Sequence, residues 1–318
     1  MIFIYLFIFL FSFFILAYSS KKLVGSLTVM AKFLGWKEFV VAFFTMALAA
    51  TIPNLSVGIS SAIHGIPEFS FSEIIGGNII DLTIAMSLAV LISKKGLRLA
   101  SKTVQGTAIF TLLLALLPIL LVIDGEISRG DGLILIFAFL IYSYWLFAKE
   151  DRFSKVYNKT KSPLKLKEIF GHIFKILFSI TLLLLAAEGI VRSATFFSIF
   201  LNFPLVLIGV LIVSLGNSLP EIFFSVQAAK KGKSWMVAGN LMGSIIFPVT
   251  LVLGVVALIC PIRIIDFSPF FIGRFFLIIS AVFFLIFIRT GKRISKKEAI
   301  LLLFIYISFI LTEILFYY

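Results

Sequence analysis

Long apolar runs alternate with short polar segments along most of the chain. The runs are continuous and lack the helical or strand period of an amphipathic surface element. Because about 20 apolar residues cross a hydrocarbon core of roughly 30 Å, each run predicts one membrane-spanning helix. We expect ten such helices, at approximately 2–18, 36–62, 72–93, 104–123, 131–148, 170–190, 203–229, 235–260, 270–289 and 298–317. The pattern therefore predicts an all-α integral membrane protein.

The composition agrees with this interpretation. Of 318 residues, 61% are hydrophobic and 14% are charged, whereas a soluble domain carries about 25% charged residues. The single cysteine, Cys260, excludes an intrachain disulfide, and two histidines argue against a histidine-rich zinc site. No basic segment precedes the first apolar run and no small-residue cleavage site follows it, so we expect a retained helix.

The net charge of +13 is concentrated in alternate loops. Most lysines and arginines fall in the loops that follow helices 1, 3, 5, 7 and 9, and the intervening loops carry acids instead. By the positive-inside rule, the basic loops are cytoplasmic and both termini are extracytoplasmic, in a multi-pass protein of the cell membrane. The basic residues would face anionic lipid, so the bilayer is the expected partner and nucleic acid is not.

Two halves of the chain resemble each other at one offset of 167 residues. The offset aligns prolines and glycines of two consecutive helices, namely Pro53 with Pro220, Gly65 with Gly232 and Gly76 with Gly243. The predicted first repeat is 1–148, a short basic cytoplasmic loop is 149–168, and the second repeat is 169–318. Since five helices is an odd number, the halves enter the membrane from opposite sides, as in the inverted-topology repeats of secondary transporters.

Two carboxylates, Asp81 and Glu221, are expected inside the membrane away from helix ends, with no lysine or arginine within a helical turn. A buried unpaired carboxylate is costly, and either a bound cation or a proton removes that cost. Further oxygen donors lie nearby in the sequence: Thr51, Asn54, Asn78, Asn217, Ser218 and Ser244. Such oxygens are ligands of hard cations, so the sequence predicts a cation site with Glu221 and Asp81 as metal ligands.

Other interpretations of these residues stay open. A hydroxyl in a membrane helix commonly bonds to its own backbone, and glycines such as Gly76 can simply allow close helix packing. Pro53 and Pro220 are expected to kink their helices and to free carbonyls one turn earlier. Glu188 and Arg192 fit an ion pair between residues four apart. Glu313 is expected to be solvated near the outer surface or to extend its carboxylate to that surface.

At these residues the chain resembles the calcium/cation antiporter superfamily, which includes the sodium/calcium exchangers. That family has two α-repeats, here about 36–93 and 203–260, each with a G-T-S-L-P-E-like segment and a G-S-N-I-F-N/D-like segment. Residues 216–221 (GNSLPE) match the first segment well, and residues 243–248 (GSIIFP) match the second in part. In the first half, residues 49–54 (AATIPN) and 76–81 (GGNIID) correspond more weakly.

The resemblance implies alternating-access exchange of Ca²⁺ against Na⁺ or H⁺, with no cofactor, no enzymatic activity and no obligate protein partner. It places Glu221 at one of two central glutamates, but Asn54 stands at the other. Asp81 occupies the Asn/Asp position of the second segment, and Pro248 stands at its counterpart. These departures motivate the hypothesis that Ca²⁺, or another cation, is exchanged against protons or fewer sodium ions.

Two alternatives remain at this point. The same fold could carry another monovalent or divalent cation. The chain could also be a homologue that has lost transport and has a structural or regulatory role, since two family ligands are replaced. An intramembrane enzyme would need a nucleophile–base pair or a metal triad, which the sequence does not provide.

Overall fold

The computed structural model describes residues 1–33, 38–94, 96–148, 166–264 and 267–317, and side chains within these ranges except at 24, 28, 31–33, 38–50, 147–148, 166–167, 267–269 and 317. Most of the predicted basic loop 149–168 thus lies outside the described residues, and its last three residues begin a helix.

Ten helical segments follow one another in the described ranges. They are α1 Ile2–Phe33, α2 Glu38–Ile63, α3 Pro67–Ile92, α4 Lys102–Leu121, α5 Arg129–Ala148, α6 Leu166–Leu201, α7 Leu205–Lys230, α8 Ser234–Ile259, α9 Phe267–Gly291 and α10 Lys296–Tyr317. Within the described residues, nine helices are long and apolar enough to cross a membrane, and α2 adds a helix of 26 residues. The predicted all-α membrane architecture is confirmed.

The first and sixth helices are much longer than predicted. The expected bounds 2–18 and 170–190 are wrong, because α1 continues to Phe33 and α6 spans Leu166–Leu201. Polar residues such as Lys21 end an apolar run, but lysine is a good helix former and does not end a helix. At 32 and 36 residues both helices exceed the length that crosses a bilayer upright, so they tilt or project beyond it.

The duplication predicted from sequence is visible in the element bounds. Helices α2 and α7 begin 167 residues apart and end 167 residues apart, and α3 and α8 do the same. The turns match as well: Gly65 and Gly232 have φ of 71° and 68°. Glycine adopts this left-handed conformation without a steric penalty. One offset therefore relates the two halves without a gap through these elements.

Each repeat also contains a π-helical segment at the same place. Asp81–Ala85 interrupts α3, and Pro248–Val252 interrupts α8. In both, a threonine hydroxyl donates to the carbonyl four residues earlier, Thr83 to Ile79 and Thr250 to Ile246. Such π-segments occur mostly at functional sites in helices, and here one of them begins at Asp81.

Two short antiparallel ribbons join the repeats. Strand β1 (Leu97–Arg98) pairs with β4 (Arg293–Ile294), and β2 (Glu126–Ile127) pairs with β3 (Ile262–Arg263). Each ribbon takes one strand from each half of the chain, so the halves are intertwined.

The central helices differ from the peripheral ones in burial. About three quarters of the apolar stretch is buried within the protein in α3 (78%) and α8 (72%), compared with 17% in α6 and 28% in α10. Exposed apolar side chains on the peripheral helices are what lipid contact requires. The site described next lies among α2, α3, α7 and α8.

Candidate cation site between the repeats

A small polar cavity lies where the central helices of the two repeats meet. About 10 Å³ of the cavity is accessible to the centre of a water molecule. This is room for about one water molecule. Its lining is Asn54, Glu73, Ile74, Gly77, Asn78, Asp81, Ser214, Asn217, Ser218, Glu221 and Ser244. Most of these side chains are polar, although the cavity is inside a largely apolar protein.

The cavity brings together most of the residues that the sequence singled out. The residues Asn54, Asn78, Asp81, Asn217, Ser218, Glu221 and Ser244 all line it. Thr51 is buried one helical turn before Asn54, outside the set of lining side chains. Pro53 and Pro220 lie inside their helices, and the kinks expected there stay a prediction.

Asp81 contacts the opposite repeat. The Ser244 hydroxyl donates to Asp81 Oδ2 over 2.5 Å, and the same hydroxyl lies 3.0 Å from the Leu241 carbonyl oxygen. A hydroxyl has one hydrogen, which these two acceptors must share. Asp81 Oδ1 is buried and has no hydrogen-bond partner among the described residues. The Oδ2 atom is therefore held by a hydrogen bond, and the Oδ1 atom is available to a ligand.

Glu221 is the second predicted carboxylate. It is buried, and its Oε2 atom has no hydrogen-bond partner within the described part of the chain. Asn240, on the next helix, donates to the Glu221 carbonyl oxygen at 3.5 Å and to the Ser225 hydroxyl at 3.3 Å. The amide thus braces the backbone of α7, and the Glu221 carboxylate keeps a free oxygen.

The cavity contains a third carboxylate, Glu73, which the sequence pattern did not predict. The expectation of only two buried acids is wrong, because α3 begins at Pro67 rather than near residue 72 and Glu73 lies well inside it. Its side chain is 2% exposed. The Asn217 amide Nδ2 donates to Glu73 Oε1 and also to Asn54 Oδ1 at 3.1 Å. One amide of the second repeat therefore holds two side chains of the first.

Several polar atoms of the cavity lack partners among the described residues. They are Glu73 Oε2, Asn78 Nδ2, Asp81 Oδ1, Asn217 Oδ1 and Glu221 Oε2. None of the lining residues is a lysine or an arginine. Buried carboxylates in such surroundings cost several kcal/mol unless a cation or a proton neutralises them. The arrangement is chemically suited to holding a hard cation.

The carboxylates do not converge on a single point. Among the described residues, no three His, Cys, Asp or Glu side chains are placed to hold one metal ion together. A cation bound here would therefore take a mixed set of carboxylate, amide and hydroxyl oxygens, as hard cations commonly do.

A second polar cluster links α2 and α6. The predicted pair is confirmed, with Arg192 Nε 2.5 Å from Glu188 Oε1. Glu188 also lies 3.1 Å from His64 Nε2 and accepts a hydrogen bond of 3.0 Å from Ser60. The contacts from Ser60 and His64 could not be foreseen, because they join residues far apart in the sequence.

Glu313 was expected to be solvated or to extend to the surface, and this expectation is wrong. Its side chain is 1% exposed, and neither carboxylate oxygen has a hydrogen-bond partner within the described ranges. Proximity to the chain end suggested exposure, but α10 turns this face towards its neighbours.

The repeated ten-helix architecture and the polar cavity between its halves define a multi-pass membrane protein of the secondary-transporter type. The family described as sodium/calcium exchanger protein matches residues 4–148 and 172–315. The chain belongs to that family, whose members are cation antiporters.

Individual relatives agree with this assignment. The chain is 25% identical to the sodium/calcium exchanger MaX1 of Methanosarcina acetivorans, over 94% of each chain. It is similar to the structure of the sodium–calcium exchanger NCX_Mj, with a TM-score of 0.63, 25% identity and coverage of 98% of this chain and 99% of that one. The H⁺/Ca²⁺ exchanger CAX superposes with a TM-score of 0.78 over 96% of this chain and 82% of that chain, and at 18% identity this likeness concerns the fold.

Proposed function

We propose that the chain is a secondary antiporter that exchanges Ca²⁺ against Na⁺ or H⁺ by alternating access at the cavity between the repeats. The observation that carries the proposal is a pair of buried oxygens, one each from Asp81 and Glu221, that have no hydrogen-bond partner among the described residues and come from opposite repeats to one cavity. Two formal negative charges neutralise one divalent cation, and amide and hydroxyl oxygens complete a shell for it.

The site departs from the family pattern at Asn54, which has no charge where the resemblance expects a glutamate. Pro248 likewise offers no side-chain ligand opposite Asp81. With fewer ligands than the family pattern, we expect coupling to protons or to fewer sodium ions.

The architecture supports alternating access as the transport mechanism. Helices α3 and α8 belong to opposite repeats and carry Asp81 and Ser244, which touch each other. A rocking motion of one repeat against the other would open the cavity to either side in turn. From the positive-inside rule, we expect both termini on the extracytoplasmic side of the cell membrane.

The experiment is uptake of Ca²⁺ into proteoliposomes under an imposed sodium gradient and, separately, a proton gradient. We expect one gradient to drive uptake, and Glu221→Gln and Asp81→Asn to abolish it. Glu68→Gln is the matched control, because this half-buried glutamate lies in the first turn of α3, outside the cavity lining.

Competition by Sr²⁺, Mn²⁺ and K⁺ in the same assay tests which cation is carried. Uptake that neither gradient drives, or that survives Glu221→Gln unchanged, would contradict the proposal.

A further inference from the structure

The two repeats place their carboxylates on different helices. The 167-residue offset pairs Asn54 with Glu221, and it pairs Glu73 with Asn240. In the second repeat the carboxylate is on α7 and the amide on α8. In the first repeat the order is reversed, with the amide on α2 and the carboxylate on α3. Each repeat thus keeps one carboxylate and one amide at these two positions.

Despite this reversal, the carboxylate of Glu73 lies close to the position that pairs with Glu221, namely Asn54. Asn217 Nδ2 donates to both Asn54 Oδ1 and Glu73 Oε1. Because a single nitrogen reaches both oxygens, the Glu73 carboxylate lies beside the Asn54 side chain. A glutamate at position 54 would carry its charge in the same neighbourhood.

The free oxygen of Glu73 supplies an independent observation. Glu73 is 98% buried, lines the cavity, and its Oε2 atom has no hydrogen-bond partner among the described residues. The Asn217 Oδ1 atom beside it is also without a partner within the same part of the chain. Two unpartnered oxygens, one of them charged when ionised, are therefore available at this end of the cavity.

We propose that Glu73 is a cation-binding carboxylate of the transport site, which replaces from α3 the charge that α2 lacks at Asn54. The inference rests on the proposed function. Its ligand class is a hard cation such as Ca²⁺ or Na⁺, which takes carboxylate and amide oxygens. Glu73 with Asn54 and Asn217 forms one end of the site, and Asp81 with Glu221 forms the other.

This division agrees with the absence, among the described residues, of three acids clustered around one point. The site would then hold three carboxylates in two groups, rather than the two carboxylates that the sequence predicts.

The test is equilibrium binding of Ca²⁺ to the purified full-length protein, by calorimetry and by radioactive ⁴⁵Ca²⁺. Glu73→Gln keeps an oxygen that accepts from the Asn217 amide, so a purely structural role survives it. We expect the Kd for Ca²⁺ to rise roughly tenfold or more, because the charge of the ligands sets calcium affinity. Glu313→Gln is the control, since it neutralises a buried carboxylate outside the cavity lining.

A relocation variant makes the test sharper. Asn54→Glu combined with Glu73→Gln moves the carboxylate to the position that matches the second repeat. We expect it to bind Ca²⁺ within about threefold of wild type, because the number of ligand charges is unchanged. The double variant also keeps the proposal testable if the single variant does not fold.

The outcomes are distinguishable. If Glu73→Gln binds Ca²⁺ like wild type while Glu221→Gln does not, Glu73 is not a ligand and the proposed function stands. A folded relocation variant that binds as weakly as Glu73→Gln would overturn the replacement of Asn54. Wild-type protein that binds neither Ca²⁺ nor Na⁺ would overturn the proposed function and this inference together.

Discussion

Replacing Gly76 by alanine should separate the helices that form the site. Gly76 lies where α3 crosses α7. A Cβ atom there would overlap the Val210 carbonyl oxygen and would fall 2.8 Å from Val210 Cα and 2.7 Å from Ser214 Oγ. The serine can rotate away, but the backbone of Val210 cannot. The helices must therefore move apart by about 1 Å to restore ordinary van der Waals separation.

The expected cost follows from two opposing effects. Overpacking in a tight interior costs about 1–3 kcal/mol, and contact with backbone places Gly76→Ala near the upper end. Alanine regains about 1 kcal/mol through its higher helix propensity. We therefore expect a net destabilisation of about 2 kcal/mol. The shift should also weaken cation binding, because α3 carries Glu73 and Asp81 while α7 carries Glu221.

Thermal unfolding in detergent and the Kd for Ca²⁺ measure both effects. Gly77→Ala is the matched control for stability, because its Cβ would meet Ser218 Oγ at an ordinary 3.5 Å. The control should be as stable as wild type or slightly more stable. Equal stability of the Gly76 and Gly77 variants would refute the close approach of α3 and α7.

Three further predictions concern single side chains. Ser244→Ala removes the hydrogen bond to Asp81 and should raise the Kd for Ca²⁺ about tenfold, since hydrogen bonds to charged groups are worth about 1.5–3 kcal/mol. An unchanged Kd would show that Ser244 does not support the binding of Ca²⁺ at Asp81. Glu313→Met should raise the thermal stability by about 1–3 kcal/mol, because a buried carboxylate with no partner in the described part of the chain is replaced by an apolar group of similar size. A lower melting temperature would contradict this prediction. Glu188→Gln, which weakens the partly exposed contacts to His64 and Arg192, should lower stability by no more than about 1 kcal/mol and leave Ca²⁺ uptake intact; abolished uptake would assign this cluster a role in transport.

The helical architecture could be predicted because a long apolar run in a sequence indicates a membrane-spanning helix. The repeat could be predicted because proline and glycine mark backbone features that both halves share, such as the left-handed turns at Gly65 and Gly232. The bounds of α1 and α6 could not, since each helix continues past polar residues that interrupt its apolar run, such as Lys21 in α1 and Arg192 in α6.

Glu73 illustrates how a boundary error hides a site residue. A helix beginning near 72 places Glu73 at its end, where an acid is unremarkable. Two signals pointed to the earlier start. Pro67 followed by Glu68 is typical of a first helical turn. The 167-residue offset also carries the predicted start of helix 8, residue 235, back to residue 68.

The side-chain pairings of the site could not be derived from sequence. Asp81 with Ser244 and Asn217 with Glu73 join residues of opposite repeats, and their meeting depends on how α3 packs against α8 and α7. The free oxygens that identify the cavity are likewise a property of packing, because each carboxylate has several polar neighbours along its own helix.

The most direct test of the central claim is a crystal structure of the protein grown with Sr²⁺ in place of Ca²⁺, with anomalous scattering used to locate the ion. We predict one strong peak inside the cavity, within ligand distance of the Asp81 and Glu221 carboxylates, and its loss in Glu221→Gln. Strontium bound only outside the cavity at saturating concentration, or a peak unaffected by Glu221→Gln, would contradict the assignment of this cavity as the cation site.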